Sequence, residues 1–115
     1  MNELLYVLNK TPGVLGSVWL EGGRVAFDMG EAVGGAEAVP LAERAAEACR
    51  AWIADGRLLE TATFSAERGR LLLRAVGDGM LVVFAESDAG AGLIKVRMRE
   101  MAEKMRVLDA VPGAA

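Results

Sequence analysis

Few residues of this 115-residue chain have side chains that could do chemistry. There is no histidine, which removes histidine general bases, Ser-His and Cys-His nucleophile pairs and nearly all zinc sites together. The single cysteine, Cys49, cannot form an internal disulfide. It stands among alanines with no base to activate it, so a buried or interface thiol is expected rather than a nucleophile. Glu86 and Asp88 form a carboxylate pair at i,i+2, a spacing that can serve magnesium or acid/base work. An aspartate just ahead of a helix is more commonly a cap, however, and Asp28 with Glu31 makes no stronger pair. Gly90-Ala91-Gly92 offers free backbone N–H groups ahead of a helix, the arrangement that attracts phosphate. No Gly-Lys-Ser/Thr follows, so it is not a P-loop. The expectation is a chain with no catalytic residue, no cofactor site and no metal site.

The bulk composition narrows the remaining classes. Hydrophobic residues make up 53% and charged residues 25%, which is a globular and not a disordered balance. Aromatic residues are only 5%, so aliphatic side chains and alanines must build the core. A formal net charge of −3 lacks the basic footprint of a nucleic-acid binder. No apolar run approaches the roughly 20 residues that span a bilayer. Met1-Asn2-Glu3 lacks the positive start of a secretory signal. A cytoplasmic protein is expected, with one domain over residues 1–115 and a core at about 4–108.

These residues must be positioned by elements that alternate between helical and strand patterns. Leu4 and Leu8 stand at helical spacing in a short first helix over residues 3–10, stopped by Thr11-Pro12-Gly13. Residues 14–20 and 24–29 read as strands joined by Glu21-Gly22-Gly23-Arg24, because paired glycines suit the positive φ of a two-residue hairpin turn. In the second strand Val25, Phe27 and Met29 should face one way and Arg24, Ala26 and Asp28 the other. A glycine- and alanine-rich loop over 30–38 follows. Pro40 then opens a helix that runs to about Asp55 and closes at Gly56. Three further strands, 58–65, 70–76 and 80–85, form a meander, and a last helix starts near 88–90. Its apolar seam is Ile94, Met98, Met101, Met105 and Leu108, with Lys95, Arg97, Arg99, Lys104 and Arg106 on a solvated face that Glu100 and Glu103 interrupt.

The nearly unbroken apolar runs 14–20 and 80–85 require burial on both faces, so they belong at the centre of one five-stranded antiparallel sheet. The half-polar runs 24–29 and 58–65 belong at its edges. One helix on one face and two on the other make a three-layer α/β/α sandwich of the α+β class.

At this level the chain resembles the Roadblock domain, the family named from a dynein light chain. The resemblance is carried by Thr11-Pro12-Gly13-Val14-Leu15-Gly16, Glu21-Gly22-Gly23-Arg24-Val25-Ala26, Gly77-Asp78-Gly79-Met80-Leu81-Val82-Val83 and Gly92-Leu93-Ile94, in this order. It covers roughly Leu4 to Leu108. The resemblance implies a non-enzymatic dimer, paired through the middle helix and the neighbouring edge strand, with one sheet running across two subunits. It also implies a Ras-like small GTPase or related NTPase as partner, which the dimer would scaffold or activate.

Set on those two elements, the expected dimer interface is Leu41, Ala45, Cys49 and Trp52 on the helix and Leu59, Thr61 and Thr63 on the strand. Trp52 and Ile53 widen the apolar arc of an alanine-rich helix, as a helix that contacts both a sheet and its own copy requires. Glu43, Arg44, Glu47 and Arg50 are the expected partner-binding residues on the same helix. Neither Arg44 nor Arg50 is expected to act as an arginine finger, because a rigid helix surface inserts a side chain poorly into a closed nucleotide pocket. The competing reading is a small-ligand sensor with a pocket under the 30–38 loop.

Overall fold

Eight elements follow one another in the order read from the sequence: α1 (Asn2–Asn9), β1 (Val14–Glu21), β2 (Arg24–Met29), α2 (Ala38–Ala54), β3 (Ala62–Ala66), β4 (Gly69–Val76), β5 (Gly79–Ala85) and α3 (Ala91–Ala110). The computed structural model describes residues 2–30, 38–54, 56, 61–66, 69–77, 79–87 and 90–110. The strands form one antiparallel sheet in the order β2-β1-β5-β4-β3. The apolar β5 lies at its centre beside β1, and the half-polar β2 and β3 lie at its edges, as their patterns require.

Two cores lie on opposite faces of this sheet. On one face α1 and α3 bring Leu5, Leu8, Ile94, Met98, Met101 and Met105 onto Trp19, Leu72, Leu81 and Val83. On the other, α2 sets Ala42, Ala45, Ala46 and Cys49 on Val18, Leu20, Leu71, Leu73, Val82 and Phe84. The methionines of α3 are therefore core packing; the side chains of Leu108 and Arg106 lie outside the described residues.

Two details differ from the sequence reading, and two stretches that it covers lie outside the described residues. The middle helix begins at Ala38 and carries Pro40 in its first turn, where a missing N–H costs no intrahelical bond. The described part of the edge strand β3 begins at Ala62; residues 57–60, and Leu59 with them, lie outside the described residues. The loop residues 31–37 lie outside them as well. Finally, β2 does not alternate cleanly. A bulge between Trp19 and Leu20 pairs Leu20 with Val25 but Trp19 with Phe27, so Ala26 is the extra residue. Val25 consequently packs on the α2 side, while Met29 packs on the α1/α3 side. Glycine at the preceding hairpin allows this bend: Gly22 and Gly23 take φ of 59° and 83°, the pair of positive values that a type I′ turn needs.

The far side of β1 is held by a tight aromatic contact. Trp19 donates from Nε1 to Glu21 Oε1 at 2.8 Å, which fixes its ring over Gly79 of β5. A Cβ built on Gly79 would run into Trp19 Cζ2 and Cη2. Gly79→Ala should therefore lower stability by about 1–3 kcal/mol through overpacking, read as a lower thermal midpoint with an unchanged far-UV spectrum. A midpoint at or above that of the parent chain would show that the ring moves aside freely.

Candidate interaction surface

Nothing in the described residues gathers into a catalytic centre. No group of three or more His, Cys, Asp or Glu side chains able to hold a metal ion occurs among them. Glu86 is exposed after β5, and Asp88 lies outside the described residues, so no acid pair can be described there. Asp28 is exposed on β2, and Glu31 lies outside. Gly90 precedes α3 in a plain helix start, its carbonyl accepting from the Ile94 N–H at 3.3 Å. Cys49 is buried, and desolvation raises its thiol above the usual range while the Arg50 charge pulls in the opposite sense. A thiol held protonated and covered is a poor nucleophile. As pH climbs toward the thiol range, the unfolded chain ionises first, so this group withdraws stability only on the alkaline side.

The surface with distinct character is α2. Its alanines favour helix and keep its profile thin, and its period divides the exposed residues into strips. One strip, Ala42, Ala45, Ala46 and Cys49, is turned into the subunit's own core. A second carries Glu43, Glu47 and Arg50, with Arg44 beside it, and borders the β1–β2 turn. Together with Gly22 and Gly23 these four line a shallow open cleft of about 320 Å³. Arg50 closes one side of it, with its guanidinium 3.1 Å from where a Cβ on Gly23 would stand.

The third strip is apolar and lies on the opposite side of the helix from that turn. Leu41, Ala45, Ala48 and Trp52 recur at steps of four, three and four, with Ala45 at the boundary with the core. Leu41 is 44% exposed and Trp52 47%. The sequence reading put Cys49 in this strip; the structure turns Cys49 inward and sets the exposed Ala48 in its place. A helix with so many alanines offers no size contrast to separate a seam from its flank, so only packing on the sheet decided which alanines are covered.

The same face of the sheet is incompletely covered. Four strand spacings of about 4.8 Å put the outer strand axes about 19 Å apart, whereas one helix is about 10–12 Å across. Among the described residues the opposite face has two helices and this one has α2 alone. Phe64 shows the consequence: it pairs with Leu71 on the α2 side of edge strand β3 and is 43% exposed. Thr63 is exposed on the other side of β3, and Thr61, just ahead of the strand, is half-buried and accepts a 3.4 Å hydrogen bond from Arg74. The structure thus brings Leu41 and Trp52 onto one exposed helix flank, keeps Ala45 and Cys49 inside, and turns Thr61 and Thr63 toward the α3 side of the sheet. Phe64 and Arg74 were missed by sequence reasoning. Phe64 carried a signal, an aromatic residue on an otherwise half-polar strand.

No family model matches the chain. It is 32% identical over 113 residues to the uncharacterized protein MJ1340 of Methanocaldococcus jannaschii, a match covering 94% of this chain and 98% of that one. Among solved structures, a Roadblock/LC7 domain from Streptomyces avermitilis superposes with a TM-score of 0.79 at 19% identity, covering 96% of this chain and 98% of that one. MglB of Myxococcus xanthus superposes with a TM-score of 0.80 at 16% identity, covering 96% and 95%. The helix order, the strand order and the split of helices over the two faces are all accounted for by these matches. The chain belongs to one family with the Methanocaldococcus protein, and its fold is that of a Roadblock/LC7 domain.

Proposed function

We propose that this protein works as a homodimeric, non-enzymatic adaptor or regulatory module for a Ras-like small GTPase in the cytoplasm. The observation that carries the dimer is the uncovered part of the α2 face. An apolar helix flank (Leu41, Ala48, Trp52) and the exposed Phe64 of an edge strand share that face, and a second α2 with a second β3 supplies what both lack. Small residues at the middle of the flank let two backbones approach closely. Edge-to-edge pairing of β3 satisfies the N–H and C=O groups that point away from β4.

The GTPase half rests on the likeness to Roadblock folds, MglB among them, and on the charges of α2. Glu43, Glu47 and Arg50 stand on the side of α2 away from the apolar flank, where the dimer would leave them accessible, and Arg44, three residues from Leu41 and four from Ala48, borders that flank. A mixed-sign surface of this kind recognises a partner by charge pattern, which sets register and on-rate more than raw affinity. Arg50 is braced against the hairpin turn and Arg44 rides on a rigid helix, so both serve as contact residues and not as inserted fingers.

Light scattering at micromolar concentration should give twice the chain mass. Gel filtration with Ras-like GTPases from the same cell, loaded with GDP or a GTP analogue, should give a complex that Glu47→Lys weakens. A monomeric mass removes the dimer. A dimer that binds no GTPase in either nucleotide state, but melts higher with a metabolite, makes it a ligand sensor.

A further inference from the structure

We infer that Arg74 is a positioning residue for the edge strand β3: it pins the register and the start of the edge through which a second copy pairs. This rests on the dimer reading above only for its consequence at the interface; the effect on β3 itself stands on the subunit alone.

Arg74 is a buried arginine in an apolar place. It is 8% exposed, in mid-β4, on the face where its strand neighbours Leu72 and Val76 enter the α1/α3 core. Leu81 lies opposite it on β5. Burying a guanidinium is costly, and an aliphatic side chain of similar length would fill the same space without that cost. What an aliphatic side chain lacks is a donor. On its other side β4 meets β3, and the backbone pairs among the described residues there begin with Ala62 opposite Leu73. The next pair in that register is Thr61 opposite Arg74, and there Arg74 NH1 donates to Thr61 Oγ1 at 3.4 Å. A side-chain bond thus joins the two strands one step beyond that backbone pair.

The position matters because β3 has a neighbour on one side only. An edge strand slips or frays more easily than a central one, and a slip of one residue exchanges the two faces. It would turn Phe64 away from the α2 side and put Thr63 there. One such slip would also set Ala62, which has no side-chain acceptor, against Arg74. The arginine therefore favours the register that keeps Phe64 beside the exposed flank of α2.

Amide hydrogen exchange and sedimentation on Arg74→Met, Arg74→Lys and Thr61→Val test this. Arg74→Met should speed exchange in residues 62–65 by about tenfold or more, leave residues 80–84 unchanged, and weaken the dimer by a similar factor. Thr61→Val removes the acceptor alone and should change both by about threefold. Arg74→Lys keeps a donor and should restore part of each effect, which a purely space-filling role would not require. Wild-type exchange in β3 of Arg74→Met overturns the inference. If Arg74→Met fails to fold, unchanged β3 exchange in Thr61→Val overturns it instead. A monomeric wild-type chain removes the dimer reading, and the exchange result still decides the role of Arg74.

Discussion

Val83→Asp should leave the chain without a cooperative melting transition. Val83 is fully buried in β5, with β1 on one side and β4 on the other, and its side chain belongs to the α1/α3 core. Its cross-strand neighbours are Ser17 and Leu72. Ser17 offers no rescue, because its hydroxyl already donates to Asn9 Oδ1 at 2.7 Å, and Asn9 Nδ2 in turn donates to the Met29 carbonyl at 3.1 Å. A carboxylate at Val83 would have to remain unpaired or take up a proton against its usual pKa. Either course costs several kcal/mol, a large share of the ~5–15 kcal/mol that holds a typical domain. Val83→Ala, which removes two methyl groups without introducing charge, should still melt cooperatively at a lower temperature. Far-UV circular dichroism against temperature separates the two. A natively melting Val83→Asp would mean that β5 is not the buried centre of the sheet.

Ala48→Glu should turn the dimer into a folded monomer. Ala48 is exposed in the middle of the apolar flank of α2, so the substitution costs the isolated subunit little. In the dimer it would place two carboxylates about one symmetry axis in the region meant to be driest, where unpaired charge is penalised most. Trp52→Ala probes the same flank by subtraction. A tryptophan at an interface centre is worth about 2 kcal/mol or more, so the dissociation constant should rise by roughly 30-fold or more. Sedimentation velocity at several concentrations reads both variants, and thermal melting confirms that each subunit stays folded. If Ala48→Glu remains a dimer with wild-type affinity, the pairing surface is elsewhere. The β2 edge, which carries the 38% exposed Phe27, is then the next surface to test.

Much of this molecule is determined by the sequence alone. The lack of histidine, the lone Cys49 and the absence of a P-loop lysine remove histidine bases, an internal disulfide and a P-loop phosphate cradle before any fold is known. The uniform apolar character of β5 against the alternation of β3 determines centre and edge, because polar side chains are costly on a strand covered on both faces. The Gly22-Gly23 pair determines the first hairpin, because few other residues take positive φ twice in succession.

Tertiary structure decided the rest, for physical reasons that local pattern does not contain. The bulge opposite Leu20 separates Val25 from Met29, since one extra residue in a strand reverses the facing of all that follow. In α2 the alanines are too alike for periodicity to tell a core strip from an exposed one; the sheet chose Ala42, Ala46 and Cys49 for burial and left Ala48 outside. Arg74 reads locally as a charge inside a hydrophobic strand, and only the pairing of β3 with β4 brings Thr61 within reach of its guanidinium. The incomplete cover over Phe64 is not a property of any segment. It arises from laying one helix across five strands, and that mismatch in width exists only once the sheet is assembled.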